Sequence, residues 1–171
     1  MAIRQIITAP DPFLKRVSKP VAEVTDDLRV LMDDLLETMY DAPGIGLAAI
    51  QVGEPVEAIV LDIARDEDDP YPRYFVNPEI TWASEELATY EEGCLSVPEF
   101  TADVDRPAEI KLNFLDYDGN KQEIHADGLL ATCIQHEIDH LKGILFIDHL
   151  SAVKRNIIVR KLVKASKQAA E

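Results

Sequence analysis

Residues 136–140 of this 171-residue chain read His-Glu-Ile-Asp-His, and no other stretch restricts the possible fold and chemistry as much. An α-helix turns once every ~3.6 residues, so His136 and His140 project from one helical face and can bind one metal ion. Glu137 then lies beside the open coordination positions, where it can accept a proton from a water on the metal. The pattern predicts a helix that carries a metal site for hydrolysis.

The sequence around this motif predicts that its helix is buried. Residues 127 and 128 (Asp-Gly) offer a start, and Gly143 offers a stop. Apolar residues recur between them at helical spacing: Leu129, Leu130, Cys133, Ile134, Ile138 and Leu141. The alternative is a structural helix with two surface histidines. Because buried imidazoles need polar partners, the apolar flanks favour the metal site.

A catalytic site of this type needs three protein ligands and one open position. The metzincin pattern places a third histidine six residues after the second, where this chain has Phe146. The thermolysin solution takes a carboxylate from a later helix, and after His140 the chain offers only Asp148 and Glu171. The third ligand is therefore expected upstream of the motif or beside it.

Either of the two cysteines could complete the site. Cys133 shares the helical face of the histidines, but its Cα is expected about 10.5 Å along the axis from that of His140. That distance suits a pocket wall better than a shared ion. Cys94 lies between Gly93 and Pro98, residues typical of an irregular backbone rather than a regular strand. A free cysteine is usually a small buried side chain, yet the missing ligand favours Cys94.

Three segments, in this order, resemble the signature motifs of the bacterial-type peptide deformylase family. They are residues 44–53 (Gly-Ile-Gly-Leu-Ala-Ala-Ile-Gln-Val-Gly), 92–96 (Glu-Gly-Cys-Leu-Ser) and 135–141 (Gln-His-Glu-Ile-Asp-His-Leu). Residues 3–19 and 145–150 are also similar to the family, so the resemblance spans essentially the whole chain. It implies a hydrolase that removes the formyl group from the N-terminal formyl-methionine of newly synthesised polypeptides and releases formate.

The resemblance implies one ferrous ion per chain, bound by Cys94, His136 and His140, with Glu137 as the general base. The spacing of the histidines alone indicates zinc, the usual ion of this motif. Zinc, nickel or cobalt can occupy the same ligands, and the affinity order of divalent metals does not decide among them.

The resemblance also implies how the substrate is held. The side-chain amide of Gln51 and the backbone N–H of Leu95 would stabilise the tetrahedral oxyanion. The peptide would bind like an added strand, with backbone contacts near Gly46. Ile45 and Cys133 are expected to form walls of the pocket for the methionine side chain.

Charge is distributed unevenly along the chain. Residues 1–150 contain 11 Lys and Arg against 31 Asp and Glu, a net charge of −20, whereas residues 151–171 contain six basic residues against one acidic residue, a net charge of +5. The acidic body is expected to repel DNA, and the basic C-terminal helix is expected to dock on the ribosome near the exit of nascent chains. The alternative is a solvated helix face whose apolar side packs on the domain.

Strands and helices do not alternate regularly, which predicts an α+β fold rather than a parallel α/β fold. We expect mixed or antiparallel sheets packed around the central metal-binding helix, with a C-terminal helix over Ala152–Lys167. Thr25 should cap a helix over Asp26–Tyr40. Residues 77 and 78 (Asn-Pro) should form a turn, and residues 118 and 119 (Asp-Gly) should form the turn of a hairpin.

The chain length fits one catalytic domain over residues 1–171. Two cysteines give no disulfide framework, no segment approaches the ~20 apolar residues of a membrane span, and the start lacks a secretory signal. We expect a cytoplasmic monomer without membrane contact, with an exposed acidic loop over residues 65–72.

Two other functions stay open, a metallopeptidase that cuts peptide bonds and a binding module with a structural metal.

Overall fold

A computed structural model describes residues 2–64 and 68–170 of the chain. Within those ranges the helices are α1 (Asp26–Asp41), α2 (Gly128–Leu141) and α3 (Ala152–Ala170). The strands are β1 (Gly46–Ala48), β2 (Ala58–Leu61), β3 (Arg73–Ala83), β4 (Leu87–Cys94), β5 (Val97–Pro107), β6 (Glu109–Leu115) and β7 (Lys121–Asp127). Short 3-10 helices cover Pro12–Lys15, Ala49–Val52 and Phe146–His149.

The strands form two sheets, one with five strands in the order β1-β2-β3-β6-β7 and one with β4 and β5. Every pairing between these strands is antiparallel. Helix α2 contacts strands of both sheets, so the helix that carries residues 136–140 lies between them. The α+β class predicted from the sequence is confirmed.

Strand β2 is buried on both faces because it lies between two helices. Successive residues of a strand point to opposite faces. Ile59 and Leu61 pack with residues of α2 in one core cluster. Ala58 and Val60 pack with residues of α1 in a second cluster. Since each buried aliphatic side chain contributes about 1.5–3 kcal/mol, this strand anchors both helices to the sheet.

Local signals at the helix and hairpin ends agree with the structure. Oγ1 of Thr25 accepts a hydrogen bond from the N–H of Leu28 at 3.2 Å and caps α1. Strands β6 and β7 form the predicted hairpin, in which Asp116 accepts hydrogen bonds from the backbone N–H groups of Asp118 and Asn120. Gly119 has a φ of 86°, a left-handed conformation that glycine adopts without strain.

The predicted turn at residues 77 and 78 is wrong. Strand β3 continues through them, with a shift of register between Val76 and Glu79 where it pairs with β6. Pro78 has no N–H to offer a ladder, and a bulge leaves that position unpaired. Asn77 has a φ of 48°, and its side-chain amide exchanges hydrogen bonds with the backbone N–H and carbonyl of Val21.

The irregular backbone predicted around Cys94 is also wrong for most of that segment. Gly93 and Cys94 end β4, and Val97 begins the long strand β5. The irregularity is confined to a register shift between Gly93 and Cys94. A Cβ at Gly93 would lie 3.3 Å from the side chain of Thr101, so the glycine suits close pairing. Of the predicted acidic loop, residues 65–67 lie outside the described part, and residues 68–71 are exposed.

Candidate active site

The structure brings one cysteine to the two histidines of α2. The ligand atoms of Cys94, His136 and His140 all lie within 4.8 Å of one another. The two imidazole rings share a helical face, with centroids 5.1 Å apart. The end of β4 carries the thiol to them, and Sγ of Cys94 lies 3.4 Å from Nε2 of His140. These three residues are the ones that the sequence singled out as ligands.

Two hydrogen-bond donors contact the sulfur of Cys94. The backbone N–H of Ser96 lies 3.4 Å from Sγ, and Nε2 of Gln51 lies 3.6 Å from it. Nε2 of Gln51 also donates to Oγ of Ser96 at 2.9 Å. Oε1 of Gln51 accepts from the N–H of Ala48 at 2.9 Å, which fixes which way the amide faces. The NH₂ group of Gln51 is therefore directed toward the cysteine.

The ring of His136 is oriented by a buried carboxylate. Nδ1 of His136 lies 2.9 Å from Oε1 of Glu92, and its Nε2 lies 3.9 Å from Oε1 of Glu137. Burial opposes a positive charge on His136, but contacts with Cys94 and Glu92 outweigh it and raise its pKa to about 10. The carboxylate of Glu92 beside Nδ1 favours positive charge at this position, including that of a cation bound to the ring.

Glu137 is buried at the edge of this cluster. Burial raises the pKa of Glu137 to about 7, although the nearby charges of His136 and Arg106 lower it. A Cβ at Gly46 would lie 2.7 Å from Oε1 of Glu137 and 2.7 Å from the side chain of Leu61. Only glycine allows β1 to approach the carboxylate this closely.

The residues present fit a divalent transition metal. His140 is fully buried, and burial together with the charge of His136 holds its pKa well below the usual value, which keeps the neutral imidazole that binds metals. Oε2 of Glu137 and Nδ1 of His140 are buried without a hydrogen-bond partner in the described part of the chain. One thiolate and two imidazoles form a donor set for such ions, and three ligands leave an open position.

A cavity of about 740 Å³ opens beside the cluster. Seven of the nine predicted site residues line it: Ile45, Gly46, Cys94, Leu95, Cys133, His136 and Glu137. The other two, Gln51 and His140, are buried and contact Sγ of Cys94. The cavity is framed by β1 on one side, by β4 and β5 on another, and by α2 at its base.

A family model of polypeptide deformylases matches residues 3–156. The chain belongs to the polypeptide deformylase family. The peptide deformylase of Phenylobacterium zucineum is 60% identical over 99% of this chain and 100% of its own length. That of Caulobacter sp. is 61% identical, again over 99% of this chain and 100% of the relative. The family membership implied by the three sequence motifs is confirmed.

Solved deformylase structures share the fold. The peptide deformylase from Ehrlichia chaffeensis in complex with actinonin has a TM-score of 0.91 and 40% identity, and the match covers 96% of this chain and 98% of that one. The peptide deformylase from Legionella pneumophila has a TM-score of 0.89 and 43% identity over 99% of each chain. The predicted enzyme class, a hydrolase of the deformylase family, is confirmed with the family.

Sequence reasoning missed the polar residues behind the ligands. Glu92, Ser96 and Arg106 are all buried and contact the site or its neighbours. Two signals could have found them. Ser96 lies two residues after Cys94, in the same motif of residues 92–96. Arg106 is the only Lys or Arg between Tyr74 and Ile110.

Proposed function

We propose that this deformylase hydrolyses the N-formyl group of formyl-methionyl peptides, the N-termini of newly made polypeptides, and releases formate. The observation that carries the proposal is the convergence of Cys94 with the two histidines of α2 beside the buried carboxylate of Glu137, at an open cavity. Three ligands with an adjacent carboxylate are typical of catalytic metal sites, whereas structural sites usually have four ligands. Family membership supports the same reaction.

Cys94, His136 and His140 would hold one divalent ion, which we assign as Fe²⁺. The assignment to iron rests on the family resemblance, because Zn²⁺, Ni²⁺ and Co²⁺ also bind thiolate and imidazole donors. When bound, such an ion polarises a carbonyl group and makes water more acidic.

Glu137 moves the proton in the proposed reaction. Its carboxylate accepts a proton from the attacking water, and a pKa of about 7 suits a group that must accept and return a proton near neutrality. A C–O bond forms at the formyl carbon, the C–N bond breaks, and Glu137 returns the proton to the departing amine.

Nε2 of Gln51 and the backbone N–H of Leu95 donate hydrogen bonds to the oxyanion. The N–H of Ala48 donates to Oε1 of Gln51, which directs the NH₂ group toward Cys94 and supports this role.

The peptide substrate would extend the five-stranded sheet. Strand β1 is the edge strand of that sheet, and Gly46 lies on the cavity wall. An extended peptide adds to such an edge through main-chain hydrogen bonds, while pockets select its side chains. Ile45 and Cys133 lie on the wall of the same cavity and would contact the methionine side chain.

The test is the product formed from formyl-Met-Ala by anaerobically purified protein with its metal content measured. We expect stoichiometric formate and free Met-Ala, with iron at about one ion per chain. Formyl-Met plus alanine would instead identify a metallopeptidase that cuts the peptide bond. Metal binding without either product would identify a binding module with a structural ion.

We place this activity in the cytoplasm, in a monomer whose catalytic domain spans residues 1–171. Newly made polypeptides appear in that compartment. In the part of the chain that the structure describes, no helix has both the length and the hydrophobicity to cross a bilayer. The three proposed ligands converge within a single chain, so the site does not require a second copy.

We also propose that α3 docks the enzyme on ribosomal RNA near the exit of nascent chains. All six basic residues of the tail are exposed: Lys154, Arg155, Arg160, Lys161, Lys164 and Lys167. Leu162 is buried, and Ile158 packs against the same core cluster. One side of the helix thus packs on the domain, as the alternative interpretation required, and the charged side stays exposed. The family match ends at residue 156, so most of this helix lies beyond it.

Neutralising Lys161, Lys164 and Lys167 with glutamine is expected to abolish co-sedimentation with ribosomes. These residues follow one another at spacings of three and lie on one helical face. Each lost phosphate contact should reduce the slope of log affinity against log salt by roughly 0.7–0.9. Turnover of short formyl peptides should not change. Truncation from Lys154 is a less clean test because it also removes Leu162 from the core.

The matched control changes the same amount of charge elsewhere. Lys19, Lys111 and Lys121 are exposed and lie outside α3. Their triple glutamine variant should co-sediment with ribosomes like the parent protein. Equal binding by the α3 variant and this control at low salt would contradict the docking proposal.

A further inference from the structure

The guanidinium of Arg106 forms ion pairs with two carboxylates, one on β4 and one on α2. Arg106 lies in β5 and is 4% exposed. Its Nε and Nη2 donate to the two oxygens of Glu92 at 2.7 and 2.9 Å. Its Nη1 donates to Oδ2 of Asp139 at 2.8 Å. Arg106 therefore ties the end of β4 to the last turn of α2.

Each carboxylate contacts a different histidine, which gives the cluster around Arg106 two branches. Oε1 of Glu92 accepts a hydrogen bond from Nδ1 of His136 at 2.9 Å, so this branch ends at a proposed ligand. Oδ2 of Asp139 lies 2.8 Å from Nε2 of His149, so that branch ends at the surface. A ring that donates from Nδ1 leaves the Nε2 lone pair for a metal. The direction of that lone pair therefore depends on where Glu92 is held.

We propose that Arg106 is a positioning residue for metal binding. Its two parallel hydrogen bonds orient Glu92, and Glu92 turns the ring of His136 toward the other two ligands. The inference rests on the proposed function, because it needs the metal site. A buried ion pair adds little net stability compared with apolar packing, so the geometry it imposes is the larger effect. Lysine could supply the charge of Arg106 but not the planar fork.

The test measures Co²⁺ affinity of the metal-free protein by competition with a chromogenic chelator. Arg106→Lys keeps the charge and removes the fork. Glu92→Gln keeps the size but replaces one carboxylate oxygen with an NH₂ donor, so glutamine cannot accept both hydrogen bonds of the guanidinium. Each variant is expected to bind Co²⁺ about 10–100-fold more weakly, the usual effect of losing an outer partner of a ligand. The visible absorption bands of the bound cobalt should also shift because the ring of His136 moves.

The double variant separates positioning from general destabilisation. Arg106 and Glu92 are proposed to act through the same ring, that of His136. The double variant should therefore lose no more Co²⁺ affinity than whichever single variant loses more. His149→Gln is the matched control, because it changes the surface branch and leaves the contact between Arg106 and Glu92. It should change the affinity by less than about fivefold, the range of an exposed pair.

Circular dichroism and thermal unfolding establish that each variant is folded. Should Arg106→Lys fail to fold, Arg106→Gln takes its place. Parent-like cobalt affinity and spectra in the folded Arg106 and Glu92 variants would overturn the inference. Additive losses in the double variant would overturn it as well, because they indicate independent effects. Failure of the parent protein to bind Co²⁺ would overturn the proposed function, and this inference with it.

Discussion

Glu137→Gln is expected to lower kcat about 10²–10⁴-fold, the contribution typical of a general base, while metal content and KM stay close to those of the parent protein. The amide has the shape of the carboxylate but cannot accept the proton of the attacking water. Shape matters here because Oε1 of Glu137 lies against the backbone of β1, where a Cβ at Gly46 would approach it to 2.7 Å. Glutamine preserves that contact, so the loss should fall on the chemical step.

Formate release by protein of verified metal content checks this prediction. Glu91→Gln is the matched control, because Glu91 lines the same cavity and is exposed. It removes the same charge from the same cavity and should leave kcat nearly unchanged. Near-normal turnover by Glu137→Gln would mean that another group accepts the proton.

Local sequence signals predicted most helices and turns of the fold, because those elements depend on neighbouring residues. The cap at Thr25 and the turn at Gly119 each involve residues a few positions apart in sequence. The apolar spacing of α2 lies within that one helix. Strand β5 was missed because it is stabilised by pairing with β4, a contact that no local pattern reports. Asn77 was misread for a related reason. Its left-handed conformation is held by Val21, 56 residues away in sequence, and not by a local turn.

The proposed ligands could be predicted from the sequence because metal chemistry limits the choice. Two histidines at a spacing of four need a third donor, and Phe146 excludes the common downstream solution. The residues that orient those ligands could not be predicted in this way. Glu92 and Arg106 are charged, and charged residues are usually exposed, so composition alone predicts a surface position. Only the tertiary structure shows that they neutralise each other beside His136.

Cys94→Ala is expected to weaken metal binding by more than about 100-fold, beyond the range for outer partners of ligands, and to reduce formate release in proportion. The reason is geometric, because Sγ of Cys94 lies 3.4 Å from Nε2 of His140 and completes the set with His136. No water or neighbouring side chain can replace a thiolate in a site of three ligands without changing the affinity.

Cys133→Ala provides the comparison within the same cavity. Cys133 lines that cavity, but burial raises its pKa to about 12, with the charge of Glu137 adding to the effect. Because metals bind the thiolate and not the thiol, Cys133 is a poor ligand at neutral pH. Cys133→Ala should therefore retain stoichiometric metal, and any change should appear in KM for the formyl-methionyl peptide. Metal analysis of both folded variants decides the matter, and loss of metal from Cys133→Ala with retention in Cys94→Ala would reverse the assignment.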